Sequence, residues 1–308
     1  MAETVTPGSD GSKEGFQWSF DGRLVVVDNG ATFASSDAFR TFMGLGSFAV
    51  VAFDPNDRLA EHKGLADIEQ FQLIANSTLG NGEPVTFHAC LDKTLSGTLE
   101  PLPQRLEAQP DDAGLKVDPI LAHLPMASVR LDDIEGLSNL DWLILDALND
   151  NAAILENGCK ALTDTLLIEI HVPFQPSHAG QAEFAAVNAW MLAHGFRFCR
   201  FQNVKLKTRF PAGLHLEKMQ ANDMQGATVL FIPTDARLKS MPANNLMKLS
   251  FLLHTVYRLH DLAYWVLEHA DAALARRYLI AEGYLWPVDE DETEFTLTGA
   301  YSPDIWAQ

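Results

Sequence analysis

Four apolar runs, each ending on a polar side chain, constrain this chain more than any other feature. Leu24–Asp28 (LVVVD), Phe48–Asp54 (FAVVAFD), Trp142–Asp146 (WLILD) and Leu166–His171 (LLIEIH) are almost continuously apolar. Strands buried on both faces of a parallel sheet read this way, because helices cover both sides. Further strands are expected at Phe71–Ala75, Phe196–Gln202 and Thr228–Pro233. Helical patterns fall between them at Ser35–Leu45, Ala152–Leu162 and Glu183–His194, with Gly46 and Gly195 placed to stop the first and the last. The alternation predicts an α/β fold with a doubly wound, mostly parallel seven-stranded sheet, helices on both faces, and an antiparallel pair at one edge.

Around this sheet domain (residues 16–241) the composition changes three times. Residues 1–15 are Gly, Ser, Thr and charge, and are expected to form a disordered arm. Residues 101–120, rich in Pro, Asp and Gln, read as a long loop inside the domain. After Pro242, Leu246, Leu249, Leu253 and Val256 have helical spacing, as do Ala263, Val266, Ala270, Leu274 and Tyr278. They predict a helical hairpin, Asn244–Leu259 and Asp261–Ala281, appended to the sheet domain over 242–286. Packing on its own sheet is the default, and a dimerisation surface, a lid, or a contact for a protein partner is the alternative. The tail, 287–308, carries Asp289, Glu290, Asp291, Glu292 and Glu294 and is expected to be solvated.

Charge and composition exclude several function classes. The formal charge is 22 − 41 = −19. Nucleic-acid binding draws on phosphate neutralisation by Lys and Arg, and anionic membranes demand the same, so neither partner is expected. With no apolar run of about 18 residues a membrane span is not expected. With no apolar segment among the first 15, a cytoplasmic protein is. Cys90, Cys159 and Cys199 are widely spaced and predict reduced thiols. His215, His254, His260 and His269 form no metal-ligand pattern with a nearby Cys or carboxylate, and no metal is expected.

In open α/β sheets ligands bind beyond the carboxyl ends of the strands, near the point where strand order reverses. The candidate residues are therefore Asp28, Gly30 and Ala31 after the first strand, Asp54 and Asn56 after the second, then Asp146 and His171. Gly30 lets the backbone turn and approach a ligand, and Asp54 is placed to accept from ribose hydroxyls. The first loop has one glycine and no cation where a dinucleotide reader needs GxGxxG. This disfavours NAD and FAD and leaves room for an adenosyl group without phosphates. The same loop is also an ordinary turn, Asp146 also suits a helix N-cap, and His171 also suits a satisfied strand-end histidine. Arg197, Arg200, Lys205, Lys207 and Arg209 cluster on one strand. They read as an edge strand protected by charge, or as a docking patch for an anion.

VVVDNGATFASSDAFRTFMGLGSFAVVAFDPN resembles the opening of FkbM-type methyltransferases, an acid-x-Gly-Ala loop before a helix and a next strand ending in acid-Pro. ANSTLGNGEPVTFHACLDKTLSGTLEPL, VRLDDIEGLSNLDWLILDALNDNAAILENG and TLLIEIHVPF are similar to later segments of that family, and the likeness spans about residues 22–205. It implies a Rossmann-like fold, S-adenosylmethionine as cofactor, and methyl transfer to a hydroxyl of a sugar-like or other small molecule. It also implies adenosyl contacts from Asp28, Gly30, Ala31, Asp54 and Asn56, and a functional acid at Asp146. Two loops depart from the family. Thr32, Phe33 and Ala34 replace its second-glycine pattern, and Ala147-Leu148-Asn149-Asp150-Asn151 replaces Val-Glu-Gly-Ala-Glu. A hydroxyl nucleophile needs its proton removed, which makes Asp146 and His171 the expected catalytic pair. The alternative is a methyltransferase-fold protein that has lost turnover and serves as a binding or scaffold partner.

Overall fold

The computed structural model describes residues 4–5, 16–62, 64–65, 67–103, 119–137, 139–210 and 221–286. In chain order its elements are β1 (Thr4–Val5), β2 (Phe20–Asp21), β3 (Leu24–Asn29), α1 (Phe39–Gly44), β4 (Phe48–Asp54), β5 (Phe71–Ala75), β6 (Ser77–Leu79), β7 (Val85–Cys90), β8 (Ile120–Val129) and β9 (Trp142–Leu145). There follow α2 (Asn151–Glu156), β10 (Leu167–Pro173), α3 (Phe184–Ala193), β11 (Phe196–Lys207), β12 (Asp223–Pro233), α4 (Asp235–Leu238), α5 (Ala243–Thr255), α6 (His260–Ala270) and α7 (Ala272–Ala281).

All seven expected strands join one sheet in the order β11-β12-β10-β9-β3-β4-β5. Strands β3, β4, β5, β9 and β10 run parallel, while β12 runs against both β10 and β11. The sheet is thus mixed, with the reversed strand one place in from the edge. Strand order reverses between β3 and β9, so the crevice expected of a doubly wound sheet opens there. Register sets the carboxyl edge: Asn29 is level with Phe53 and Leu145, and Ile170 with Leu145. Asp28, Asp54, Asp146 and His171 accordingly share one edge.

Each face of the sheet has its own core. On one side Val27, Phe53, Leu143, Leu145, Ile168 and Ile170 meet Ile154 and Leu155 of α2 and Val187 and Met191 of α3. On the other, Leu24, Val26, Phe48, Val50 and Trp142 meet Leu249, Phe251 and Leu252 of α5, Val266 of α6 and Tyr278 of α7. Burying a side chain of this size stabilises by roughly 1.5–3 kcal/mol, so the C-terminal helices complete the sheet's core. One ion pair anchors them. Lys248 Nζ of α5 donates to Asp141 Oδ2 (2.9 Å) and to the Arg23 carbonyl (2.9 Å), and the Val25 amide reaches the same Asp141 oxygen (2.8 Å).

Five sequence expectations change. The hairpin is three helices, because the Asp271 side chain accepts from the Ala273 and Leu274 amides and starts α7 afresh. Helix α1 begins at Phe39, not Ser35, because Asp28 takes the amides of residues 32–34 into a turn. Helix α2 stops at Glu156, and a short 3-10 turn at Ala161–Thr163 follows. A second sheet, β6-β8-β7, was not anticipated; β8 includes Ile120, at the end of the expected long loop. Thr4–Val5 pairs with Phe20–Asp21 inside the expected arm. The remainder of 1–15, residues 104–118 of the expected loop and the tail 287–308 lie outside the described residues.

Candidate functional site

A cavity of about 1180 Å³ opens at the carboxyl edge, on the sheet face that α5–α7 cover lower down. Phe33, Phe42, Trp142, Val256 and Tyr257 form an apolar side, while Arg58, Asp146, Glu169, His171, Gln202, Lys205 and Gln225 form a polar one. A few polar groups converging on a partly apolar hollow is the usual form of a small-molecule site.

The expected residues divide into two groups. Asn56, Asp146 and His171 line the cavity. Asp28, Gly30, Ala31 and Asp54 lie behind its wall, buried. Asp28 accepts from the Thr32, Phe33 and Ala34 amides (3.0, 2.9 and 2.9 Å), and burial still pushes its carboxyl up to about 6. Asp54 uses both oxygens on the Arg58 and Leu59 amides (2.9 and 2.8 Å). Each carboxylate braces the loop that follows its own strand. Asn56 donates to the Ser96 carbonyl (2.7 Å), and its Oδ1 is buried with no hydrogen-bond partner.

Asp146 is held from three sides. Its Oδ1 accepts from the Leu148 amide (3.0 Å) and Asn149 Nδ2 (2.8 Å), and its Oδ2 pairs with Arg58 Nη2 (3.2 Å). Burial raises its pKa, and the Arg58 charge opposes the rise most. Gly30, at φ +107°, is packed directly against this carboxyl. The loop that departs from the family pattern supplies the rest of the bracing, since Asn149 Oδ1 accepts from Thr78 (3.2 Å) and Thr98 (2.9 Å).

Strand β10 adds a residue that the sequence reading passed over. Glu169 stands two positions before His171, so the pleat puts both on one face. Tyr257, just beyond α5, donates its hydroxyl to Glu169 Oε2 (2.6 Å). Burial pushes the Glu169 carboxyl up to about 7. His171 moves the other way, down to about 4, through burial and then the charges of Lys205 and Arg58. The signal lay inside LLIEIH, where an acid interrupts a run otherwise fit for burial. The basic cluster is spread out. Strand β11 is the sheet edge, as the charge predicted. Arg197 pairs with Asp235 and Arg209 with Asp223, while Lys205 faces the cavity.

No family model matches the chain, and no curated protein matches it. Among solved structures it is similar to magnesium protoporphyrin IX methyltransferase from Synechocystis PCC 6803 with bound SAH (11% identity, TM-score 0.34, 69% of this chain and 75% of that one). It is similar to TehB from Haemophilus influenzae (11%, 0.35, 69% and 58%) and to LepI in complex with SAM (12%, 0.30, 74% and 45%). Likenesses this distant assign no activity. Among the described residues no helix is long and apolar enough to cross a membrane.

Proposed function

We propose that the chain is an S-adenosylmethionine-dependent methyltransferase whose acceptor is a hydroxyl of a sugar-like small molecule. The observation that carries this reading is the cavity at the β3–β9 reversal. Among the ionisable groups that face it, burial and neighbours push three apart in proton affinity: Asp146 paired to Arg58, Glu169 near 7 and His171 near 4. Such divergence separates acid from base in a site. A group titrating near 7 suits the removal of a hydroxyl proton, which favours Glu169 as base, with Asp146 and His171 orienting the acceptor.

The fit to the cofactor is partial. Gly30, Ala31 and Asp54, the cradle implied by the family resemblance, are closed by the protein's own groups, since Asp54 caps two amides and Asp146 covers Gly30. Thr32, Phe33, Asn56 and Asp57 remain toward the cavity and would hold the adenosine, with the buried acceptor on Asn56 facing a ribose hydroxyl. The cofactor would supply an activated methyl group. The chain would supply position and exclusion of water.

The closed cradle, and the Arg58 cation beside it, favour a second reading: a methyltransferase-fold protein that binds without turnover. Calorimetric titration with S-adenosylmethionine and S-adenosylhomocysteine separates the two. One-to-one binding of both supports the enzyme, and a search for methyl transfer to carbohydrate acceptors follows. Absence of heat with either, in folded protein, leaves the binding role.

A further inference from the structure

We propose that His254, His260 and Glu282 form a binding site for a zinc-class divalent ion that clasps the three C-terminal helices. The three side chains come from α5, the first residue of α6 and the end of α7, and their candidate ligand atoms lie within 4.8 Å of one another. Sequence spacing hides this, because Glu282 is remote from both histidines along the chain.

Local structure makes the convergence. Between α5 and α6 the chain reverses through Arg258, whose φ of 56° lies in the left-handed region, and the Leu259 amide returns to the Leu253 carbonyl (2.8 Å). The two imidazole centroids are thereby brought to 4.6 Å, inclined at 75°. Helix α7 then delivers Glu282 Oε2 to 3.9 Å from His260 Nδ1. His254 is buried, and Trp18 packs against its ring, while His260 and Glu282 are about a quarter exposed at the side chain. An ion therefore has both a fixed inner ligand and a way in.

The ligand chemistry selects the metal. Two imidazoles and one carboxylate suit zinc and its neighbours, whereas magnesium and calcium require oxygen donors. Zinc accepts three protein ligands and leaves its fourth position to solvent. The competing account is a metal-free network. The Tyr278 hydroxyl lies 3.0 Å from His254 Nδ1 and 3.3 Å from His260 Nδ1, and a phenol can donate to one while accepting from the other. Glu282 Oε2, 3.9 Å from His260 Nδ1, can pair with the imidazolium in that network, so uptake of an ion by the stripped protein separates the two.

The test uses the full chain stripped with a chelator and desalted, titrated with zinc chloride in competition with a chromogenic chelator. The expected result is one equivalent of zinc, lost or weakened at least about 10-fold in both His260→Ala and Glu282→Gln. The thermal midpoint should rise on zinc addition in the parent and not in His260→Ala. Tyr278→Phe, which removes the network and no ligand, should keep its zinc. Circular dichroism and the unloaded midpoint check that each variant folds, and Glu282→Gln, at a partly exposed helix end, preserves size. No stoichiometric zinc, or zinc binding equal in the parent and both ligand variants, overturns the proposal. Loss of zinc in Tyr278→Phe alone overturns it in favour of the network. Cofactor titration of the same variants is expected to be unchanged, so this result and that of the cavity stand apart.

Discussion

Asp146 lies so close over Gly30 that a methyl group on the glycine would fall 2.6 Å from the carboxyl carbon. The contact joins the loop after β3 to the loop after β9, across the reversal in strand order. Gly30→Ala must therefore displace Asp146 and hold an L residue at a φ of +107°. The expected loss is roughly 2–4 kcal/mol in urea unfolding, together with loosening of the Asp146–Arg58 pair.

Asp54 caps two backbone amides, so its removal should be felt in stability. Asp54→Ala is expected to cost about 1–2 kcal/mol, and Asp54→Asn, which keeps one acceptor, about half of that. Unfolding and cofactor titration on the same variants check it. A 10- to 100-fold loss of cofactor affinity with unchanged stability would return Asp54 to the ribose role that the family resemblance implies.

Glu169 and His171 impose opposite pH slopes on stability. The folded Glu169 carboxyl holds its proton up to about 7 against an ordinary 4.5, so the stability it contributes is complete below about 4.5 and is lost as pH rises through 7. His171 refuses a proton until about 4 against an ordinary 6.5, so stability is complete above about 6.5 and is lost as pH falls toward 4. Urea midpoints across pH 4–8 should show Glu169→Gln losing the alkaline decline and His171→Gln losing the acid one.

With an acceptor in hand, Glu169→Gln should lower turnover at least about 100-fold, and Asp146→Asn and His171→Gln, at residues that orient the acceptor, should cost less. Glu169→Gln should remove the limb of the pH–rate profile that rises through about 7. Equal profiles in the parent and Glu169→Gln would take the base away from Glu169.

Lys248→Met leaves Asp141 buried with only the Val25 amide on its Oδ2. Breaking one side of a buried pair costs about 3–5 kcal/mol, so this variant should unfold far below the parent in a thermal melt.

The seven strands were legible because burial on both faces leaves no polar positions to blur an apolar run. The β6-β8-β7 sheet was not, because β8 alternates irregularly between exposed and buried positions and contains Pro125. Asp28 and Asp54 show a different limit. An acid at a strand end looks the same whether its oxygens face a ligand or its own backbone, and here both turn inward. Glu169 was legible in principle, since an acid in phase with His171 on a buried strand needs a reason to be there. The His254–Glu282 approach was not, because it depends on a helix break at Asp271 that spacing alone does not reveal.

The packing of α5–α7 on the face of β3 and β4 also sets an order of events during synthesis. Strand β3 emerges early, yet the share of cover that α5–α7 give Leu24, Val26, Phe48 and Val50 arrives only when residues 246–281 have left the ribosome. The Asp21 amide and carbonyl likewise wait for the Asn244 side chain, at 2.7 and 3.1 Å. A nascent chain shorter than this carries a partly uncovered apolar face, and such surfaces invite aggregation. This face of the sheet is therefore sealed by α5–α7, and shortening them exposes the oldest part of the sheet.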